Sequence, residues 1–251
     1  MADLSRTLVW FSCGAASAVA AKLTLASNPA AEPVYCDTGA EHPDNERFMA
    51  DCERWFGCAV TRLKSTKYAD TWDVFTKRRY LAGIDGALCT TEMKVAPRLI
   101  FQRPHDAHVF GYTSDEAVRA DRLRANYPEL RISTPLIERG IDKSGCLALI
   151  RSAGIALPAM YRLGFQNNNC IPCVKATSPA YWALVRQRFP AEFDRMATLS
   201  RELDVRLSRI DDVRIFIDEI PADWPISNPI QPACDFLCHI VEQDFEESAN
   251  G

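Results

Sequence analysis

Thr7-Leu8-Val9-Trp10-Phe11-Ser12-Cys13-Gly14-Ala15-Ala16-Ser17 is the stretch on which the fold turns. A short apolar run stops at a glycine-containing turn of small residues, and an alanine-rich segment follows. The run Thr7–Ser12 reads as a buried strand and Ala15–Ala26 as a helix. Small residues let a backbone come close to an anion. The helix start then offers unpaired N–H groups and the positive end of a dipole. Ser12 and Ser17 add hydroxyl donors. Small residues also open helices for packing alone, and the lysine of a Walker A loop is absent, so that type of loop is excluded.

The same alternation continues outward. Pro33–Cys36, Cys58–Leu63, Val109–Tyr112 and Arg131–Leu136 read as further strands. Asp44–Phe56, Thr91–Gln102, Asp115–Asn126 and Ser144–Ala153 read as helices between them. Repeated strand–helix order predicts an α/β fold: an open, mostly parallel, five-stranded sheet with helices on both faces. After Cys173 the pattern is helical through Leu203. Beyond Pro221 it is irregular and ends in Cys234-Asp-Phe-Leu-Cys238-His239 and an acidic tail. The expected organisation is a nucleotide-binding α/β domain over residues 1–175 and a helical extension with an irregular tail over 176–251.

Composition bounds the rest. The chain has 251 residues, 47% apolar and 25% charged, which is the balance of an ordinary globular protein with a sizeable core. No apolar run is long enough for a bilayer and no signal-peptide pattern opens the chain, so no membrane is expected as a partner. Ten cysteines without a secretion signal point to the cytoplasm. A net charge of −4 gives no global field for nucleic acid. Basic residues cluster at Lys77-Arg78-Arg79 and at Arg119, Arg122, Arg124 and Arg131, a pattern more usual on solvated helix faces.

Cys36-Asp37-Thr38-Gly39-Ala40-Glu41-His42-Pro43 closes the second strand. Ligands of parallel sheets bind beyond the carboxyl ends of strands, so this loop and the first should face one crevice. Alternatively, Asp37, Thr38 and Asp44 cap the next helix. Cys89 opens Cys-Thr-Thr-Glu-Met-Lys94, and Cys170-Ile-Pro-Cys173 follows far along the chain. Two thiols at this spacing can converge on one metal, with a third supplied by the fold. In a reducing compartment the set suggests iron–sulfur or zinc rather than a disulfide. Cys89 as an ordinary buried cysteine is the bland alternative.

Taken in order, these segments resemble the adenine-nucleotide α-hydrolase superfamily, specifically the PAPS-reductase-like branch of PP-loop proteins. SCGAAS is similar to its Ser-x-Gly-x-x-Ser loop and YCDTGAEHPD to its Asp-Thr-Gly segment. CTTEMKVAP is similar to its Cys-x-x-x-x-Lys-x-x-Pro segment, and FGYTSDEAVR to its Gly-x-x-x-x-Glu-x-x-x-Arg segment. TPLIE and PAMYRLGFQNNNCIPC complete a likeness that spans residues 6–175. PP-loop proteins of tRNA thiolation and DNA phosphorothioation share it. The chain also departs from the pattern. Cys13 and Ala16 replace the second glycine and the aspartate of Ser-Gly-Gly-x-Asp-Ser. Thr90 stands where cluster-bearing reductases have a second cysteine. The tail ACDFLCHI matches the reductases' Glu-Cys-Gly-x-His only at Cys238-His239.

The resemblance implies an adenine nucleotide, ATP or a relative, with Ser12, Gly14, Ala15 and Ser17 around its phosphates. Asp37, Thr38 and Gly39 would line the same site, Asp37 toward Mg2+, ribose or base. Lys94 and Arg119 would neutralise charge at the α-phosphate, with Glu116 orienting Arg119. Cys89, Cys170 and Cys173 would hold a 4Fe–4S cluster with one open iron, or with Cys146, Cys234 or Cys238 as fourth ligand; zinc is the alternative metal. Three functions follow. One is AMP-forming adenylation in sulfur transfer, possible acceptors including nucleic acid, with a sulfur donor such as a cysteine desulfurase. Another is APS/PAPS reduction with Cys238 as nucleophile and a reductant such as thioredoxin. The third is a non-catalytic cluster-bearing partner. A homo-oligomer is expected in each case.

Overall fold

A computed structural model describes residues 5–83 and 86–226 and positions 230, 232 and 245. Strands β1 (Thr7–Trp10), β2 (Glu32–Asp37), β3 (Thr61–Lys64), β4 (Ala107–Phe110) and β5 (Arg131–Ser133) form one sheet in the order β3-β2-β1-β4-β5. Every pairing is parallel. The strand order reverses between β1 and β4, which makes their carboxyl ends the natural crevice of the fold. The helices are α1 (Ala15–Ser27), α2 (Asn45–Phe56), α3 (Thr71–Arg78), α4 (Leu88–Thr90), α5 (Ala96–Phe101), α6 (Ala117–Asn126), α7 (Pro135–Glu138), α8 (Lys143–Ser152), α9 (Ala159–Arg162), α10 (Pro179–Arg188) and α11 (Pro190–Glu202).

Side chains alternate across β1 and divide it between two layers. Val9 and Phe11 join Tyr35 and Val109 against α1, α2 and α8. Helix α1 buries Ala15, Ala18, Val19, Ala20 and Ala21, and these small side chains let it lie close to its neighbours. On the other face Trp10 stacks on His108 and donates its indole N–H to Nδ1 at 3.1 Å. A π-type turn, Thr91–Val95, and α5 cover β2 and β3. Helices therefore cover both faces.

Several boundaries differ from the sequence reading. β3 begins at Thr61 rather than Cys58, because pairing with Val34 starts there. β4 ends at Phe110, so Gly111 and Tyr112 leave the sheet. β5 ends at Ser133, and Pro135 opens α7 instead, its fixed φ suiting the first helical turn. Helix α3 and a hairpin are among the elements that were not anticipated. Helix α3 is short, capped by Asp70 accepting from the Asp73 N–H at 2.7 Å, and buries Trp72, Val74 and Phe75. β6 (Ser208–Ile210) and β7 (Val213–Ile215) form an antiparallel hairpin turned by Asp211 and Asp212, both at positive φ.

A second core gathers Trp72 and Phe75 with Phe165, Val174, Trp182, Phe193 and Met196, so residues on both sides of position 175 share it. At the amino ends of β1 and β4, Arg6 grips Asp106 through Nε (3.2 Å) and a terminal nitrogen (2.7 Å). The described residues contain no helix long and apolar enough to cross a membrane.

Candidate active site

The loop after β1 is fixed by its own residues first. Ser12 N–H donates to Ser17 Oγ at 3.0 Å, Ser17 Oγ–H donates to the Gly14 carbonyl at 3.0 Å, and the two hydroxyls lie 3.1 Å apart. Cys13 is wholly buried and left-handed, with φ of 55°. The first N–H groups of α1 lack intrahelical partners by construction; that of Ala15 donates to the Tyr161 phenol at 3.2 Å. Burial pushes the Tyr161 phenol up to about 12, so it stays protonated. Gly111, just past β4, lies against this turn: a Cβ there would be 2.7 Å from Ser17 Cα and 2.8 Å from its nitrogen. Only glycine lets the two strand ends meet so closely.

The loop after β2 lies beside it. Asp37 accepts from the Gly39 N–H at 2.9 Å and pairs with Lys64 at 2.8 Å. Burial opposes the Asp37 charge, yet the Lys64 and Gly39 hydrogen bonds hold its carboxyl below the ordinary value. Asp37 and Thr38 do not cap α2, and the side chain of Asp44, which stands at the cap position, binds Arg47 and the Ala159 N–H instead. Thr38 is buried, with its Oγ1 3.2 Å from Cys170 Sγ. The Ile171 N–H donates to the Ala40 carbonyl at 2.7 Å, which fastens the Cys170–Cys173 segment to this loop.

Lys94 rides on the π-type turn after Cys89, a wider turn that shifts the side chains following it around the helix. Burial works against its ammonium, but Cys170, Glu41, Cys36 and Cys173 surround it and hold its pKa above that of an ordinary lysine. Glu41 Oε1 is 3.8 Å from Lys94 Nζ, and the Glu41 side chain is 6% exposed. Cys170 is pushed up to about 12, chiefly by burial, despite the lysine nearby. Cys89 is raised by burial and by neighbouring Cys173. The fold thus brings all three sequence-selected cysteines and Lys94 into one neighbourhood.

A single zinc ion would need sulfurs on a tetrahedron of about 2.3 Å bonds, within roughly 4 Å of one another. Among the described residues no three cysteine, histidine or carboxylate groups converge in that way. In a 4Fe–4S cluster each cysteine takes its own iron, so the thiols ring the group rather than meet.

Other sequence-selected residues are placed differently. Arg119 is exposed, pairs with Glu116 and lies 5.3 Å over the Tyr112 ring. Glu116 also closes a capping box with Thr113. Cys146 is buried in the α1-side core. Cys36, unmarked by the sequence reading, is the further thiol facing that lysine. Cys234 and Cys238 lie outside the described residues. Local carboxylates neutralise much of the basic clusters, as in Lys77–Asp73, Arg78–Glu92, Arg79–Glu202 and Arg124–Asp121.

Sequence reasoning also missed Tyr161, Lys143, Asn45 and Asn168. Lys143 lies 5.5 Å over the Tyr161 ring and donates to Asn167 at 2.7 Å. Burial lowers its pKa. The NNN run before Cys170 was the available signal, because buried asparagines need partners.

No protein-family model matches the chain, and no curated protein matches it. A solved structure, phosphoadenylyl-sulfate (PAPS) reductase from Candida auris in a phosphate complex, aligns with a TM-score of 0.48 and 14% identity, over 68% of this chain and 82% of that one.

Proposed function

We propose that the chain is a PAPS-reductase-like PP-loop enzyme acting at the α-phosphate of an adenine nucleotide. Attack by an acceptor oxygen on ATP expels pyrophosphate and leaves the acceptor adenylated; the terminal sulfur of a persulfide on a donor such as a cysteine desulfurase then displaces AMP, and a reducing thiol cleaves the resulting disulfide to free the thiolated acceptor. One observation carries this reading: the small-residue loop, the Asp37 loop and the Lys94–cysteine group sit together beyond the carboxyl ends of β1 and β2.

Each residue has a physical task in this scheme. The start of α1 receives phosphate oxygens through free N–H groups and the Ser12 hydroxyl, with Ser17 joining once its hydroxyl leaves the Gly14 carbonyl. Asp37 takes Mg2+ or a ribose edge. Lys94, kept charged by its neighbours, offsets negative charge at the α-phosphate. Arg119 is exposed and swings in only by leaving Glu116. Cys89, Cys170 and Cys173 would hold a 4Fe–4S cluster, which when bound offers an iron open to a sulfur ligand.

The test is anaerobic incubation of iron- and sulfide-reconstituted protein with labelled ATP, APS and PAPS. AMP with pyrophosphate from ATP supports the proposal. Sulfite from APS or PAPS replaces it with the thiol-dependent reductase. Neither product, with no nucleotide bound, leaves the non-catalytic partner.

A further inference from the structure

We propose that Asn168 is a positioning residue: it holds Cys13 left-handed and joins the phosphate loop to Lys94 through Asn45 and Glu41. This rests on the nucleotide reading above and gives a task to a residue that the sequence reading left without one.

The observations form one line. Asn168 Nδ2 donates to the Cys13 carbonyl at 2.6 Å and to Asn45 Oδ1 at 2.8 Å. Asn45 Nδ2 donates to Glu41 Oε2 at 3.2 Å, and Glu41 faces Lys94. Tyr35 donates to the same carboxylate oxygen, fixing it further. The Asn168 backbone N–H meets the Tyr161 phenol that also receives the Ala15 N–H. Cys170 follows two residues later.

Magnitudes support a positioning role. A left-handed backbone disfavours a non-glycine residue by roughly tenfold. A buried neutral hydrogen bond is of comparable weight, so the carbonyl bond and the ties around it are of the size needed to hold Cys13 there. Both amide hydrogens of Asn168 are used, while its Oδ1 has no hydrogen-bond partner. Orientation is therefore set by donors facing two oxygens. An aspartate of the same shape would place an acceptor against both.

The experiment compares reduced wild type with N168A, N168D, C13G and N168A/C13G. Amide exchange of the peptide spanning residues 11–18 and calorimetric binding of Mg·ATP are read together. In N168A the loop amides should exchange about tenfold faster and the Kd rise about tenfold. N168D should be worse than N168A, although it fills the same space. C13G removes the left-handed penalty and should restore most of both losses in the double variant, while by itself lowering the melting temperature. Unchanged exchange in N168A, or no recovery in N168A/C13G, overturns the proposal. Should N168D not fold, N168A and the double variant decide it. Wild type that fails to bind ATP sinks the nucleotide reading, and the exchange results still decide the role of Asn168.

Discussion

The two ends of β1 and β4 differ in kind. At the amino end Arg6 and Asp106 satisfy each other, and the Arg103 N–H adds a third bond to the same carboxylate at 2.7 Å. At the carboxyl end the chain puts a left-handed cysteine, a glycine with no room for a methyl, and a lysine among thiols. One end closes on itself. The other carries strain and unspent donors, the mark of a sheet whose two edges are divided between stability and chemistry.

The widest separation between the ends should appear in activity. Lys94→Ala is expected to lower AMP formation by about 10²–10³, the effect of losing one preorganised charge at a reacting group. Asp106→Asn should leave turnover of the folded enzyme unchanged. Equal losses in both would erase the distinction.

Thiol reactivity sharpens it. At pH 8 Cys170 of reduced, metal-free protein should alkylate on the order of a hundredfold more slowly than a free cysteine. The thiolate is scarce at a pKa of about 12, and its greater nucleophilicity recovers only part of the deficit. Mass spectrometry of pH-stepped iodoacetamide labelling reads this directly. Labelling as fast as a model thiol would mean that the pocket is open.

Gly111→Ala tests the close approach. Its Cβ would press on the Ser17 backbone, and overpacking of this kind costs about 1–3 kcal/mol. Denaturant melts should show that loss together with weaker ATP binding. Undiminished affinity would show that the loop does not depend on β4.

The smallest effect belongs to the amino end and to pH. Burial opposes the Asp106 charge, but its bonds to Arg6 and the Arg103 N–H hold its carboxyl below the ordinary value. A depressed carboxylate contributes stability that is complete above the unfolded pKa and is lost as pH falls through the folded one. Wild type should therefore lose, below about pH 4, a contribution that Asp106→Asn lacks at every pH. It should be smaller than for a fully buried pair, because Arg6 is partly exposed. Parallel melting curves for the two proteins from pH 7 to pH 3 would refute it.

Much of this was legible in the sequence because it is local. The strand, turn and helix of residues 7–27 are contiguous, and their apolar periodicity states the fold. The three cysteines and Lys94 could be selected by type and spacing. Their meeting place could not, since the stretch holding Cys36, Glu41 and Asn45 and the distant Asn168 are joined only by the fold and carry no spacing rule. Cys13 looked like a departure from a motif, yet its burial and φ make it a structural joint. Helix α3 escaped because eight residues give too little periodicity to see.

The bond from Asn168 to Cys13 also sets a timetable. Residues 12–17 leave the ribosome well before the side chain that holds their turn, which is added some 150 residues later, roughly 8 to 30 s at common elongation rates. Within that interval β1 can pair with β2 and, once residues 107–110 are made, with β4, while the nascent phosphate loop has no lock. Nascent chains stalled before residue 168 should thus expose a sheet able to form and a loop unable to set, a stage at which a chaperone could hold the protein before its crevice exists.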